Sequence, residues 1–481
     1  MNLKSLNLTM LVDFYELTMA HGYFENDMKD QIAHFDMFFR RVPDQGGFAI
    51  MAGLEQLIEY LKHLEFTDED IEYLRQKQLF SEGFLDYLKN FKFACDIYAI
   101  PEGTPIFPNE PILTVRGPII QAQFIETMIL LTINHQSLIA TKSNRIVRAA
   151  NGRPVLELGA RRAQGADGAI LGARAAYIGG CSGTACAISD RDFNVPAIGT
   201  MAHSWVQTFD TEYEAFKKYA ELYPQNCTLL VDTYNTLKSG VPNAIKVFKE
   251  ILIPKGYQPG AIRIDSGDAA YLSKKARKLL DEAGLHEAKI VISNSLDEYI
   301  IKDLLIQNAP IDSFGVGERL ITSKTEPVFG GVYKIVALEK DGQKIPKIKI
   351  SNKIEKITNP GSKQVYRLYD RDTNKAIADV ITLSDEMIDD TKPYTIFDPE
   401  HTWRRKEITN FIARPLLTPI FLNGELVYEK PTLEEIVTYS KQQIDMLWEE
   451  VLRFEKPHTY YVDLSKELWS LKTDLLEKYS K

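Results

Sequence analysis

The chain has 481 residues, 44% hydrophobic and 26% charged, a composition that excludes disordered and fibrous proteins. Its formal charge of −9 excludes a general nucleic-acid or acidic-membrane binder, which needs a basic face, but leaves room for local basic pockets. The four cysteines, Cys95, Cys181, Cys186 and Cys227, form no CxxC pattern and read as reduced thiols of a cytoplasmic protein.

In chain order, the start MNLKSLNLTMLVDFYE lacks the basic end, apolar stretch and small-residue cleavage site of a signal peptide. The most apolar run, MILLTI at 128–133, is far shorter than the roughly 20 residues that span a bilayer. A soluble, cytoplasmic protein is expected, in which the sequons at Asn7 and Asn226 carry no weight. Residues 1–130 mix helices such as GLEQLIEYLKHL with Pro- and Gly-punctuated strands in IYAIPEGTPIFPNEPILTVRG, an N-terminal α+β domain.

Residues 131–345 carry a rhythm. Val- and Ile-rich runs recur as PVLELGA (154–160), VPAIGT (195–200), CTLLVDTY (227–234), GAIRIDSG (260–267), KIVISNS (289–295) and SFGVGE (313–318). None alternates with polar residues, so each is expected to be a parallel strand buried on both faces. Helical stretches separate them: DTEYEAFKKYAELY, opening at a capping Asp210, and DAAYLSKKARKLLDEAG, closing at Gly284. Successive βα units without a GxGxxG turn predict an α/β fold with a TIM-like (β/α) barrel rather than a doubly wound sheet. Residues 346–481 read as β-structure with hairpin turns, returning to the N-terminal domain, then a charged helical tail.

A barrel gathers the residues after each strand on one face. That face would hold Glu157, Arg161 and Arg162; Thr200, His203 and Ser204; Asp232 and Thr233; Arg263, Asp265 and Asp268; Ser293 and Asn294; and Gly315 and Gly317. Adjacent arginines after a strand can grip a carboxylate or phosphate with paired hydrogen bonds, or simply pair with Glu157 or Asp167. In AIRIDSGDAAY, Ser266 and Gly267 form a small loop into a helix that suits phosphate, and Asp265 and Asp268 can hold Mg²⁺ or ribose hydroxyls. Ser266 and Asp268 are also good helix caps. The glycines of SFGVGERL stand at the last strand, where barrels frequently bind phosphate through main-chain N–H groups. His203 can be a general base, a nucleophile or a metal ligand, or a histidine satisfied at a strand end. No HExxH or Cys/His cluster accompanies it, so zinc is not expected.

The segments LVDFYELTMAHGYF, FDMFFRRVPDQGGFAIMAGLEQ, GARRAQGADGA, YIGGCSGTA, VPAIGTMAHSW, AIRIDSGD, ISNSLDEY, SFGVGERL, EPVFGGVYK and NPGSKQVYR follow one another over about residues 10–370. In this order they closely resemble the nicotinate phosphoribosyltransferase family. The resemblance implies the type II phosphoribosyltransferase fold and the joining of nicotinate to phosphoribosyl pyrophosphate with Mg²⁺, in NAD salvage. It also implies ATP hydrolysis coupled through a phosphohistidine at the position of His203, and a homodimer. By the same likeness Tyr15 stacks on the pyridine ring from the other subunit, and Arg161, Ser182, Thr200 and Arg263 surround nicotinate. Arg162, Ser266, Gly267, Ser293, Asn294, Gly315 and Gly317 face the phosphoribosyl group, and Asp265 and Asp268 face ribose and magnesium. In nicotinamide-using relatives an acid stands where YIGGCSGTA places Ser182, and a neutral residue there suits a carboxylate. Glu318 departs from the threonine of many members. The competing expectations are a nicotinamide or quinolinate phosphoribosyltransferase and a non-catalytic nucleotide-binding barrel.

Overall fold

The computed structural model describes residues 7–479; the first six residues of the start read above and the last two of the helical tail lie outside the described residues. The chain packs as two compact units. One is contiguous, Ile139–Pro327, and the other combines the chain up to Leu138 with the chain from Val328 onward. No helix among the described residues is long and apolar enough to cross a membrane.

The contiguous unit is a mixed α/β fold around a curled parallel half-barrel sheet. Its strands run in the order Gly183–Thr184, Val155–Glu157, Ser313–Val316, Lys289–Ser293, Ala261–Ile264 and Thr228–Leu230. In three of them successive residues are buried, Leu229 with Leu230, Ile290 with Val291 and Ile292, and Phe314 with Gly315 and Val316, so both faces are covered and the runs do not alternate with polar residues. Ala261–Ile264 buries Ile262 and Ile264 and leaves Ala261 and Arg263 partly exposed. Among the described residues the two end strands are not hydrogen-bonded to each other. The registers are even: Glu157 lies opposite Thr184 and Val316, Ser293 opposite Gly315, and Ile264 opposite Ile292. The strands therefore end at nearly one level, and the segments that leave them rise together.

Two local expectations change. VPAIGT is not a strand; Ala197 makes a single bridge to Thr184, and the two-residue strand Gly183–Thr184 takes the edge instead. Pro196 has no N–H to donate to a ladder, which confines the run to one bridge. The helix expected to start at Asp210 is Glu212–Leu222, capped by the Thr211 side chain, which accepts from Glu214 N at 3.2 Å. Asp268 does cap its helix, Ala269–Glu282, accepting from Tyr271 N at 2.9 Å.

In the other unit the two ends of the chain share a sheet. Strand Ile32–Phe38 lies between Leu113–Pro118 and Val332–Lys340, and Asp96–Ala99 pairs with Thr418–Leu422, all antiparallel. Helix Leu54–Lys62 covers it, contributing Leu57, Ile58 and Leu61 to a core with Phe35, Met37, Ile97 and Ile420. The hairpin Lys363–Asp370/Ala376–Leu383 belongs to a second, four-stranded sheet. Two ion pairs are sealed inside this unit, Asp36–Lys363 at 2.9 Å and Arg367–Asp379 at 2.6 Å.

Helix Phe14–Glu25 buries Glu16. One carboxylate oxygen accepts from Thr127 Oγ1 at 2.6 Å, and the other has no hydrogen-bond partner among the described residues. Burial, with Glu126 nearby, pushes this carboxyl up from 4.5 to about 8. The folded state thus keeps a proton that the unfolded chain gives up, so this group's contribution to stability falls as pH rises from about 4.5 to about 8. Replacing Glu16 by Gln keeps an acceptor for Thr127 and removes the buried charge. Thermal melting should show Glu16→Gln gaining on wild type as pH rises from 5 to 9; a difference independent of pH would contradict the assignment.

Candidate active site

The site is built where the parallel strands end. The Asp232 carboxylate lies just beyond strand Thr228–Leu230; its Oδ2 accepts from Asp265 N at 2.9 Å and from Ser266 Oγ at 2.6 Å. Asp265, next past its own strand, accepts from Ser293 Oγ at 2.5 Å. His203 begins a short helix, His203–Gln207. Trp205 fixes this helix by donating to Ala215 O at 3.0 Å and packing against Phe209 and Tyr219. The His203 ring meets Thr233 Oγ1 through Nδ1 at 3.1 Å, and its Nε2 stands 3.9 Å from Asp265. The imidazole is partly exposed, held by a hydroxyl on one side and faced by a carboxylate on the other.

Arg263 comes from the strand between these groups. It donates to Thr200 Oγ1 at 2.5 Å and to Met201 O at 2.9 Å. Burial lowers its pKa, opposed by Asp265 and Asp232, while Arg161 adds to the lowering. Arg263 Nε and Asp232 Oδ1 are buried with no hydrogen-bond partner among the described residues. Such atoms carry a desolvation cost that a polar ligand can offset.

Arg161 and Arg162 close a turn after strand Val155–Glu157 and are exposed. Neither pairs with Glu157, whose buried carboxylate instead accepts from Gly159 N and, at 2.6 Å, from Thr184 Oγ1. Burial raises the Glu157 pKa, with both hydrogen bonds opposing; its task is to hold the turn. A Cβ at Gly315 would lie 2.5 Å from Leu158 Cδ1, so any side chain there would force Leu158 to shift. Gly317 follows at the strand end, and Gly267 adopts φ +77° in the turn before Asp268. Asn294 at φ 126° lies outside the conformations that side-chain-bearing residues favour, the kind of strain that collects at functional sites.

The structure thus gathers Thr200, His203, Arg263, Asp265, Ser266 and Ser293 at the same strand ends in three hydrogen-bonded sets: Arg263 with Thr200, Asp265 with Ser293 and, through Asp232, with Ser266, and His203 with Thr233. Arg161, Arg162, Asp268, Asn294 and Gly317 stand on segments leaving the same strand ends, and Gly315 lies within the strand Ser313–Val316. Ser182 precedes strand Gly183–Thr184 and donates its N–H to Val155 O at 2.8 Å. It therefore sits level with the start of the neighbouring strand, whereas the residue at the carboxyl end is Ala185, also exposed. Tyr15 belongs to the other unit, exposed on helix Phe14–Glu25. Asp232 and Thr233 were visible in the sequence only as polar residues after a strand; their partners lie 33 and 30 positions away.

Convergent cations, carboxylates and hydroxyls at the carboxyl ends of parallel strands define a ligand site of the α/β enzyme type. Comparison with known proteins makes this specific. Residues 10–134 match the nicotinate phosphoribosyltransferase N-terminal domain, 154–382 the nicotinate phosphoribosyltransferase family, and 362–472 its C-terminal domain. The chain is 46% identical to nicotinate phosphoribosyltransferase of Bacillus subtilis over 98% of its own length and 95% of that protein. The crystal structure of human nicotinic acid phosphoribosyltransferase superposes with a TM-score of 0.85 at 28% identity, covering 96% of this chain and 99% of that one. That of nicotinate-nucleotide pyrophosphorylase from Pyrococcus furiosus gives 0.70 at 26%, covering 93% and 97%. The chain belongs to the nicotinate phosphoribosyltransferase family, a family of enzymes.

Thr200 tests the geometry directly. Thr200→Val leaves a second guanidinium nitrogen of the partly buried Arg263 without its side-chain acceptor, at a cost of about 1 kcal/mol. Thr200→Ser keeps the hydroxyl, so denaturant unfolding should place the valine variant below the serine variant by about that amount.

Proposed function

We propose that this enzyme joins nicotinate to phosphoribosyl pyrophosphate, giving nicotinate mononucleotide and pyrophosphate, in NAD salvage. The observation that carries the reading is the Asp232–Asp265–Ser293 chain beside Arg263 and His203, built on a sequence 46% identical to a nicotinate phosphoribosyltransferase. In this reading the strand ends form the working face of a TIM-like barrel.

The chemistry asks for positioning more than for a strong base. Nicotinate's ring nitrogen is neutral at pH 7 and attacks C1 of the ribose; the C1–O bond breaks and its electron pair leaves with pyrophosphate. Positive charge grows on the sugar and negative charge on the leaving group. Arg263, with Thr200, and Arg161 grip the nicotinate carboxylate through paired hydrogen bonds. Asp265 faces the ribose, where its negative charge favours the developing cation. Ser266, Gly267, Ser293, Asn294, Gly315, Gly317 and Arg162 cradle the phosphates. Ala185, at the carboxyl end expected for Ser182, sets no negative charge against a carboxylate.

Among the described residues no three His, Cys, Asp or Glu side chains converge as a metal cage. The available donors, Asp265 and Asp268, instead suit Mg²⁺ that arrives on substrate phosphates and is held by one or two carboxylates, directly or through water. Bound there, Mg²⁺ supplies neutralisation of the pyrophosphate charge.

His203 accepts the γ-phosphoryl group of ATP: the terminal P–O bond breaks, ADP leaves, and water later releases phosphate from the imidazole. Thr233 and Asp265 hold the ring for this. The enzyme works in the cytoplasm as a homodimer in which Tyr15 of one copy stacks on the pyridine of the other. The exposed Phe14, Tyr15 and Met19 of the N-terminal helix, with Leu11 just before it, supply an apolar face for that partner.

Product analysis with nicotinate, nicotinamide and quinolinate side by side, with and without ATP, tests the reading; preference for either alternative pyridine overturns it. His203→Ala should lose label transfer from γ-phosphate-labelled ATP while slower ATP-independent turnover remains. Incorporation at the wild-type level would remove the histidine from that role. Tyr15→Ala should raise the nicotinate KM, since an aromatic stack contributes about 0.5–1.5 kcal/mol beyond burial. An unchanged KM would exclude it from the site.

A further inference from the structure

Glu318 is the residue for which neither the fold nor the proposed reaction gives a reason. It stands two positions past strand Ser313–Val316, in the segment that leaves next to the Ala160–Arg162 turn, because Val316 and Glu157 are register partners. A cavity of about 410 Å³ opens there, lined by Arg162, Gln164, Glu318, Thr322, Lys324 and Pro327.

The charges in this cavity have an unusual arrangement. Glu318 Oε1 accepts from Lys324 Nζ at 2.7 Å, with both side chains about half exposed. Lys324 holds the Glu318 carboxyl below the usual carboxylate range, and Arg162 adds to the effect. Among the described residues no carboxylate forms an ion pair with Arg162. The cavity thus presents two cations with one anion standing on one of them. An exposed ion pair contributes little to folding, so the fold does not need this one. It is also readily exchanged, because a phosphate dianion brings twice the charge and more acceptor oxygens to the same ammonium.

We propose that Glu318 is a built-in competitor for the substrate phosphate assigned above to Arg162, and that Lys324 is the cation for which the two compete. Glu318 occupies Lys324 until the phosphate takes Lys324 and Arg162 from it. With phosphate bound, the Glu318 carboxylate is repelled and swings toward solvent. When the product is formed, its return to Lys324 helps to expel the phosphate. The residue therefore sets affinity for a phosphorylated ligand at a moderate level. This rests on the phosphoribosyl transfer proposed above, in which either phosphoribosyl pyrophosphate or ATP brings the phosphate.

The first measurement needs no catalysis: titration of inorganic phosphate into the intact enzyme and into Glu318→Gln and Lys324→Gln. Glu318→Gln should tighten phosphate binding about fivefold, the scale of one unit charge removed at ~4 Å through water. Lys324→Gln should weaken it, and the gain from Glu318→Gln should shrink in the double variant, a coupling that a merely structural role would not produce. The KM values for phosphoribosyl pyrophosphate and for ATP, varied separately, then identify the donor: the one that falls in Glu318→Gln and rises in Lys324→Gln brings the phosphate. Phosphate affinity unchanged in both folded single variants overturns the proposal, as does a response of phosphate affinity with neither KM moving. Both outcomes leave nicotinate turnover by the wild-type enzyme intact. Absence of that turnover would overturn the proposed function, while the phosphate titration would still decide the competition.

Discussion

Asp232 spends one carboxylate oxygen joining the ends of two strands. By accepting from the backbone and side chain that follow strand Ala261–Ile264, it fixes the direction in which Asp265 leaves that strand. Asp265 in turn accepts from Ser293 on the next strand, so three neighbouring strand ends are tied by side chains past the point where backbone pairing stops. Parallel strands are joined by long crossovers, so the residues facing one another at their ends come from distant parts of the chain. The carboxylate links hold those ends together beside Arg263 and His203, which are placed by their own contacts to Thr200, Met201 and Thr233.

The same links explain how a protein of charge −9 can receive anionic substrates. The carboxylates closest to the centre are turned inward onto hydroxyls and N–H groups, while Arg161 and Arg162 stand exposed. Net charge describes the surface as a whole; recognition depends on which charges are already satisfied. Glu157 makes the point most plainly, a carboxylate at a strand end that is fully buried and wholly occupied in holding the turn that presents the two arginines.

What could be read from the sequence follows from this division. Strands covered on both faces announce themselves as uninterrupted apolar runs, and five of the six runs are strands. VPAIGT has the composition of a strand and fails because Pro196 cannot continue a ladder. Gly183–Thr184, which takes the edge, is too short and too small in side chain to give any signal. Single-residue chemistry was legible where a strong type stood after a strand, as with Arg263 and Asp265. The linking role of Asp232 and the hold of Thr233 on His203 were not, since both depend on contacts 30 or more positions apart. The pairing of Glu318 with Lys324 was hidden for a different reason: six residues apart across a bend, it matches no helical or strand spacing.

The division of the chain between its two units also bears on how the protein is made. The unit formed by Ile139–Pro327 is contiguous and can fold as soon as it has left the ribosome. The unit begun by the first 138 residues cannot: strand Ile32–Phe38 waits for Val332–Lys340 and Asp96–Ala99 waits for Thr418–Leu422. During synthesis the usual order is inverted, with the middle of the chain maturing before its beginning. At ~5–20 residues per second, the unpaired edges of the first strands stay open for roughly 15–60 seconds, given the ~300 residues between the paired segments. During that interval each of these early strands is paired on one side only, by Leu113–Pro118, and its other edge is open to pairing with another chain.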